Sequence, residues 1–214
     1  MMNNKKNFVS AVILQCVHMM YGLVVPRIIL SIFGSEINGL VSSITQFLSF
    51  ITLLEGGLGA VVLAELYKPI EEKNMAQIRG ILNSSQSFFN KIAVVYIAYA
   101  VFVGIGFGIN LNSIYSFVFV LGLTLVLSLT TLSEYLFSIT IRLFLQADQK
   151  IYITNIIYSL VLVLNIVFAI ISIKIYPDII ILKLSSGVAF CLQPLILRFF
   201  IPNELKKNKY DRNQ

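Results

Sequence analysis

The sequence predicts an all-α, multi-pass membrane protein with six transmembrane helices. Three observations point there. Hydrophobic residues make up 57% of the 214 positions and charged residues only 12%, against about 25% charged in ordinary soluble domains. The mean hydropathy is +0.86, so the chain has too few polar side chains to clothe a compact soluble body. Six apolar stretches each reach the length of about 20 residues that a spanning helix needs. A soluble globular enzyme and a disordered chain are both excluded on these grounds.

The stretches run Phe8–Phe33, Gly39–Leu66, Phe88–Ile109, Ser116–Leu143, Ile151–Ile175 and Ile179–Ile201. The first follows Lys5 and Lys6 as a signal peptide would. Its apolar run is too long for one and no small-residue cleavage site follows, so it should stay as a first helix. The chain then divides into an N-terminus over 1–7, a six-helix body over 8–201 and a tail over 202–214. One longer connection, 68–90, is amphipathic, with Met75, Ile78, Leu82, Ser85, Phe89 and Ile92 at helical spacing. Asn74 with Gln77 three residues on reads as an N-cap. An interfacial helix continuing into the third span is expected.

The formal charge is +6, and the bases lie between apolar runs, which speaks for topology and against nucleic acid. Lys5, Lys6, Lys68, Lys73, Arg79, Lys91, Lys150, Lys206, Lys207, Lys209 and Arg212 share one set of ends, while Lys174 and Lys183 approach the other. Both termini are therefore expected in the cytoplasm, with the protein in the inner or plasma membrane. The outer loops would be Gly34–Asn38, Asn110–Tyr115 and Tyr176–Asp178, and Tyr67, Tyr115, Tyr152 and Tyr176 would anchor the interfaces. Cys16 and Cys191 sit in apolar runs and read as buried small hydrophobes.

Polar residues recur on one face of three spans. The second carries Ser42, Thr45, Gln46, Ser49, Thr52, Gly56 and Gly59, with Glu55 beside them. The fourth carries Thr124, Ser128, Thr131, Tyr135, Ser138 and Arg142, with Glu134 beside them; the fifth carries Asn155, Tyr158, Asn165 and Ser172. One stripe would be helix–helix glue; three with embedded carboxylates point to a wet cavity, a structural buried pair being the alternative. Gly56, Ala60 and Ala64 read as a packing row, as does the GxxxG of Gly104 and Gly108. Arg27 follows Pro26, which should kink the first helix and free backbone groups that a cavity tolerates. It is placed either to meet an anionic headgroup or to snorkel to the outer interface. His18 reads as a hydrogen-bonded interior residue.

No enzyme constellation stands out. There is no second His, nucleophile elbow, phosphate-cradling loop or DxD pair, and the "GIGFGIN" glycines lie inside a span. Neither cysteine has metal-ligand spacing. Catalytic residues, metal and cofactor are accordingly expected to be absent.

Two stretches carry a family resemblance: "RIILSIFGSEINGLVSSITQFLSFITLLEGGLGAVVLAELYKPIEEKN" from Arg27 and "RLFLQADQKIYITNIIYSL" from Arg142. They resemble the N-terminal half of bacterial polysaccharide transporters, the flippases for O-antigen, capsule or teichuronic-type repeat units. That family's superfamily also holds the lipid II flippase and multidrug extruders. The resemblance implies one lobe of a flippase-like bundle in which two six-helix lobes face a cationic cavity. The cavity would take an undecaprenyl-diphosphate-linked oligosaccharide from the inner to the outer leaflet by rocking, coupled to a Na+ or H+ gradient. It implies membrane lipid around the chain and, as partner, a second six-helix half or another copy. Arg27 matches the family's basic residue in helix one. Glu55 and Glu134 would serve ion coupling or pair with cavity bases; Arg142, Thr131, Ser138 and Asn155 would line the cavity. Two other readings stand beside it: a truncated or accessory subunit of the export machinery, and a membrane-embedded polysaccharide polymerase or ligase. The enzyme would need a sizeable external loop, and the outer loops have about five residues.

Overall fold

The computed structural model describes residues 2–200, with the side chains of all but Met2 and residues 53–56 among them. The expected tail over 202–214 and the end of the sixth stretch at Ile201 lie outside the described residues. The described chain is helical throughout: α1 Met2–Ser49, α2 Thr52–Glu71, α3 Met75–Asn110, α4 Phe117–Ser133, a π-helical segment Glu134–Ser138, α5 Ile139–Ala147, α6 Ile151–Ile175 and α7 Ile179–Phe199. Among the described residues, five helices are long and apolar enough to cross a membrane: Asn3–Ser49, Met75–Asn110, Phe117–Ala147, Ile151–Ile175 and Ile179–Phe199. The fold is that of a helical membrane protein.

The difference from six stretches lies between Gly39 and Leu66. The first half of that stretch ends α1, a turn falls at Phe50 and Ile51, and the rest is α2, with charges at Glu55, Glu65, Lys68 and Glu71. The break has a local cause. Thr45 Oγ1 donates to Val41 O at 2.7 Å, Ser49 Oγ to Gln46 O at 2.7 Å and Thr52 Oγ1 to Ser49 O at 2.6 Å. Hydroxyls that compete for helix carbonyls loosen the ladder, and Phe50 N bonds only three residues back, to Phe47 O.

The other irregularity in α1 is at Gly34, with φ 83° and ψ 174°. Only glycine takes such a φ without strain. Pro26, by contrast, stays inside the helix. Proline costs a helix one hydrogen bond, but its own φ is helical, so it is Gly34 and not Pro26 that leaves the helical region. Before Gly34, α1 lies on the start of α6, where Asn7 and Ser10 bond to residues 149–155. After it, α1 lies on α3 and its loop. Tyr115 Oη donates to Glu36 at 3.4 Å, and Tyr99 Oη to Phe47 O at 2.7 Å.

Asn74 caps α3 by accepting from Gln77 N at 3.1 Å. The apolar face of the following turns is covered by protein: Ile78 packs with Leu66 of α2, Phe144 and Leu145 of α5, and Leu197 of α7. A larger core joins α1, α3 and α4 through Ile29, Ile44, Phe89, Val120 and Leu123, and the buried Tyr96 meets Tyr135 edge to face at 5.8 Å. Outward lie Leu23, Phe102 and Val118, each more than 70% exposed. An apolar girdle of this kind suits lipid and not water. Cys16 and Cys191 are exposed, not buried, because their helix faces belong to this girdle. His18 is exposed as well, on the stretch of α1 that includes Met19 and Met20.

Helices α3 and α4 approach closely along a row of small residues. Ala100 is fully buried. A Cβ on Gly104 would stand 2.8 Å from Leu121 Cδ1, and one on Gly108 would stand 2.7 Å from the Phe117 ring. Small residues let backbones meet where no hydrophobic force drives helices together. The row at Gly56, Ala60 and Ala64 is different. Gly56 lies outside the described side chains, Ala60 and Ala64 are exposed, and it is Gly59 where an added Cβ would meet α5, 3.6 Å from Leu143 Cδ2.

Gly108→Val is expected to destabilise the purified protein by about 1–3 kcal/mol, the usual cost of overpacking. Gly22→Ala, where nothing lies within 4 Å, should leave stability unchanged or raise it by up to about 1 kcal/mol. Thermal unfolding in detergent checks both.

Candidate functional site

The site begins with a backbone irregularity. In the segment Glu134–Ser138, Ile139 N donates to Glu134 O, five residues back instead of four. Such π turns absorb one extra residue and often mark functional positions. They also leave carbonyls without helical partners, which an apolar surrounding penalises. Gln86 of α3 fills the gap. Its Nε2 donates to Tyr135 O and Leu136 O, both at 3.1 Å, and to Asn90 Oδ1 at 2.9 Å. Its Oε1 accepts from Thr140 Oγ1. One amide side chain thus closes the turn from outside.

The π turn sets the register of the two charges around it. In a regular helix, residues eight apart point about 80° away from each other. With one residue absorbed, Glu134 and Arg142 stand two turns apart on one side, and Arg142 Nη1 reaches Glu134 Oε1 at 2.5 Å. The pair is about one-third exposed, 32% and 33% for the two side chains. Tyr158 of α6 lies within electrostatic reach of both charges, and Tyr21 of α1 within reach of Tyr158. A charged pair with a phenol nearby, open on one side, can bind a polar or anionic group.

The three polar stripes have three different fates. In α4 and the π segment, Thr124, Ser128, Tyr135 and Ser138 are buried, and Thr124 and Ser128 donate to carbonyls of their own helix. Thr131 stands beside the hydroxyl of Tyr96, which is buried and meets no partner of hydrogen-bond geometry. In α6 the stripe is consumed by packing. Asn155 Nδ2 donates to Ser10 Oγ of α1 at 3.1 Å. Asn165 exchanges hydrogen bonds with Ser186 of α7, and Ser172 donates to Ser185 at 2.9 Å. In α1 the residues Ser42, Thr45, Gln46 and Ser49 all remain exposed.

Of the residues singled out from sequence, the fold therefore joins Glu134 and Arg142. Arg27 is exposed on α1 with no ion-pair partner among the described residues. Thr131 stands beside Tyr96 of α3, Ser138 is buried, and Asn155 ties α6 to α1. Glu55 belongs to α2, and its side chain lies outside the described ones. Gln86 and Thr140 were missed; the signal was the Gln86–Asn90 amide pair one turn apart in α3. Among the described residues, no three His, Cys, Asp or Glu side chains gather as a metal ion would require. No family model, curated protein or solved structure matches this chain.

Gln86→Leu removes the donor to two π-turn carbonyls and the acceptor for Thr140. It should cost about 1–3 kcal/mol. Thr140→Val should cost less in the Gln86→Leu background than alone, because the shared bond is already gone. Unfolding midpoints of the two single variants and the double variant test this.

Proposed function

We propose that the chain is one lobe of a polysaccharide-export flippase that moves undecaprenyl-diphosphate-linked oligosaccharide from the inner to the outer leaflet. The observation that carries the reading is the part-exposed Glu134–Arg142 pair, set by the π turn and within electrostatic reach of Tyr158. An ion pair in a membrane helix is costly and belongs to a cavity or pathway by default. The exposed polar row Ser42, Thr45, Gln46 and Ser49 supports the same reading. Lipid would not solvate such a face, whereas a facing lobe or a watery path would. The family resemblance of the stretches from Arg27 and Arg142 supplies the substrate class.

In this reading the chain crosses the membrane six times, reversing at Gly34, and both termini face the cytoplasm by the distribution of bases. The partner is a second six-helix half or a second copy. Arg27 and Arg142 meet the diphosphate in turn. Arg142 leaves Glu134 when phosphate arrives, because the dianion is the stronger acceptor for a guanidinium. The freed Glu134 carboxylate then takes up the coupling Na+ or H+.

The test is export in cells that carry the rest of the machinery. Arg27→Ala and Arg142→Ala should each abolish surface glycan and leave the undecaprenyl-linked intermediate on the inner leaflet. Arg142→Lys should retain part of the transport, since the charge survives and the planar fork does not. Normal surface glycan from both alanine variants overturns the proposal.

A further inference from the structure

A second place in the molecule pairs charge with an apolar groove, at the start of α1. Lys5, Val9 and Ile13 follow one another at steps of four, with Lys6 alongside. In an α-helix that spacing stacks them on one face. Tyr152 and Ile156 repeat the step on α6. Between the two helices runs a groove of about 490 Å³, lined by Lys5, Lys6, Val9, Ser10, Ile13, Tyr152 and Ile156.

The groove walls are tied together. Asn7 Nδ2 donates to Gln149 O at 3.0 Å, and Asn7 Oδ1 accepts from Tyr152 N at 3.1 Å. That amide belongs to the first turn of α6, where helix N–H groups lack internal partners. Ser10 accepts from Asn155 one turn further along. The Lys6 ammonium sits over the Tyr152 ring, 5.5 Å from its centre. The nearby Asp148 is engaged by Lys150 at 2.7 Å. Among the described residues, neither Lys5 nor Lys6 has an ion-pair partner.

We propose that this groove holds an anionic diacyl phospholipid, its phosphate between Lys5 and Lys6 and an acyl chain along Val9, Ile13 and Ile156. Two features choose this occupant. The charge lies at one end of the groove only, as the charge of a phospholipid does. Past the lysines the lining is Val9, Ile13 and Ile156, with the Tyr152 ring and a Ser10 hydroxyl already engaged by Asn155, along helices that are themselves apolar enough to cross a membrane, so the groove opens onto acyl chains. Basic pockets between membrane helices hold anionic headgroups on this principle. The proposal requires membrane insertion and not transport, so it stands or falls separately from the export reading.

The experiment uses the full chain, purified in a mild detergent and titrated with phosphatidylglycerol. Phosphatidylcholine with the same acyl chains and chain-free glycerol phosphate serve as comparisons. Bound lipid is counted by native mass spectrometry. Phosphatidylglycerol should bind at least about tenfold tighter than phosphatidylcholine, since two lysines near the headgroup contribute about fivefold each. Lys5→Gln with Lys6→Gln should erase that preference while the lipid-free unfolding midpoint stays at the wild-type value. Ile13→Trp, which fills the groove, should weaken both lipids. If Ile13→Trp does not fold, the lysine pair still decides. Equal binding of the two lipids, a preference that survives the double lysine variant, or glycerol phosphate binding as tightly as phosphatidylglycerol would each overturn the proposal.

Discussion

The amide of Gln86 completes a turn of backbone that helix geometry leaves open. In water such a turn would be closed by solvent. Inside an apolar bundle each unpaired carbonyl carries a penalty, and the segment at Tyr135 and Leu136 holds its shape because one side chain from α3 donates to both carbonyls. The consequence reaches beyond the turn. The residue absorbed there rotates α5 relative to α4, and that rotation places Arg142 over Glu134. Without it the two charges would point apart, each without its counter-charge in a membrane helix. The site is thus a result of backbone register as much as of residue identity.

The same pressure to satisfy polar groups sorts the stripes of the other helices. A hydroxyl in lipid first seeks the carbonyl three or four residues back, as Thr124 and Ser128 do. An amide cannot satisfy all its donors and acceptors that way and reaches a neighbour instead, as Asn165 reaches Ser186. Interhelical bonds of this sort contribute modestly, about 0.6 kcal/mol on average in membranes. They fix which faces meet more than they stabilise the meeting. Close approach does the rest, and at Gly104 and Gly108 there is no room for a methyl group.

Much of the architecture was legible in the sequence because apolar length and charge spacing report directly on lipid. The last three apolar stretches, the α3 cap at Asn74 and the Gly104–Gly108 contact fall where pattern places them. Two features were illegible for a physical reason. Pro26 looks like the breaking point of α1, but a proline's φ is compatible with a helix, and the backbone departs at Gly34. The turn at Phe50 and Ile51 arises from three hydroxyls acting in series, none of which is unusual alone. As for the site, periodicity put Glu134 beside the Arg142 face and not on it, since it assumed 3.6 residues per turn throughout. The π turn is invisible to such counting, and so was the role of Gln86.

A buried ion pair is weak evidence for stability, because apolar residues of similar volume often serve a fold as well or better. Glu134 and Arg142 are held at the surface of a helix that could have closed on itself with aliphatic side chains. Holding them together requires a less favourable turn, an amide from another helix and a threonine to orient that amide. The pair is also left one-third open, which forgoes part of the Coulombic gain that low dielectric would provide. An arrangement optimised for stability alone would do the opposite on each count. The geometry makes sense if the two charges must separate, since a part-solvated pair can exchange its partner for an incoming anion at modest cost, whereas a sealed one cannot.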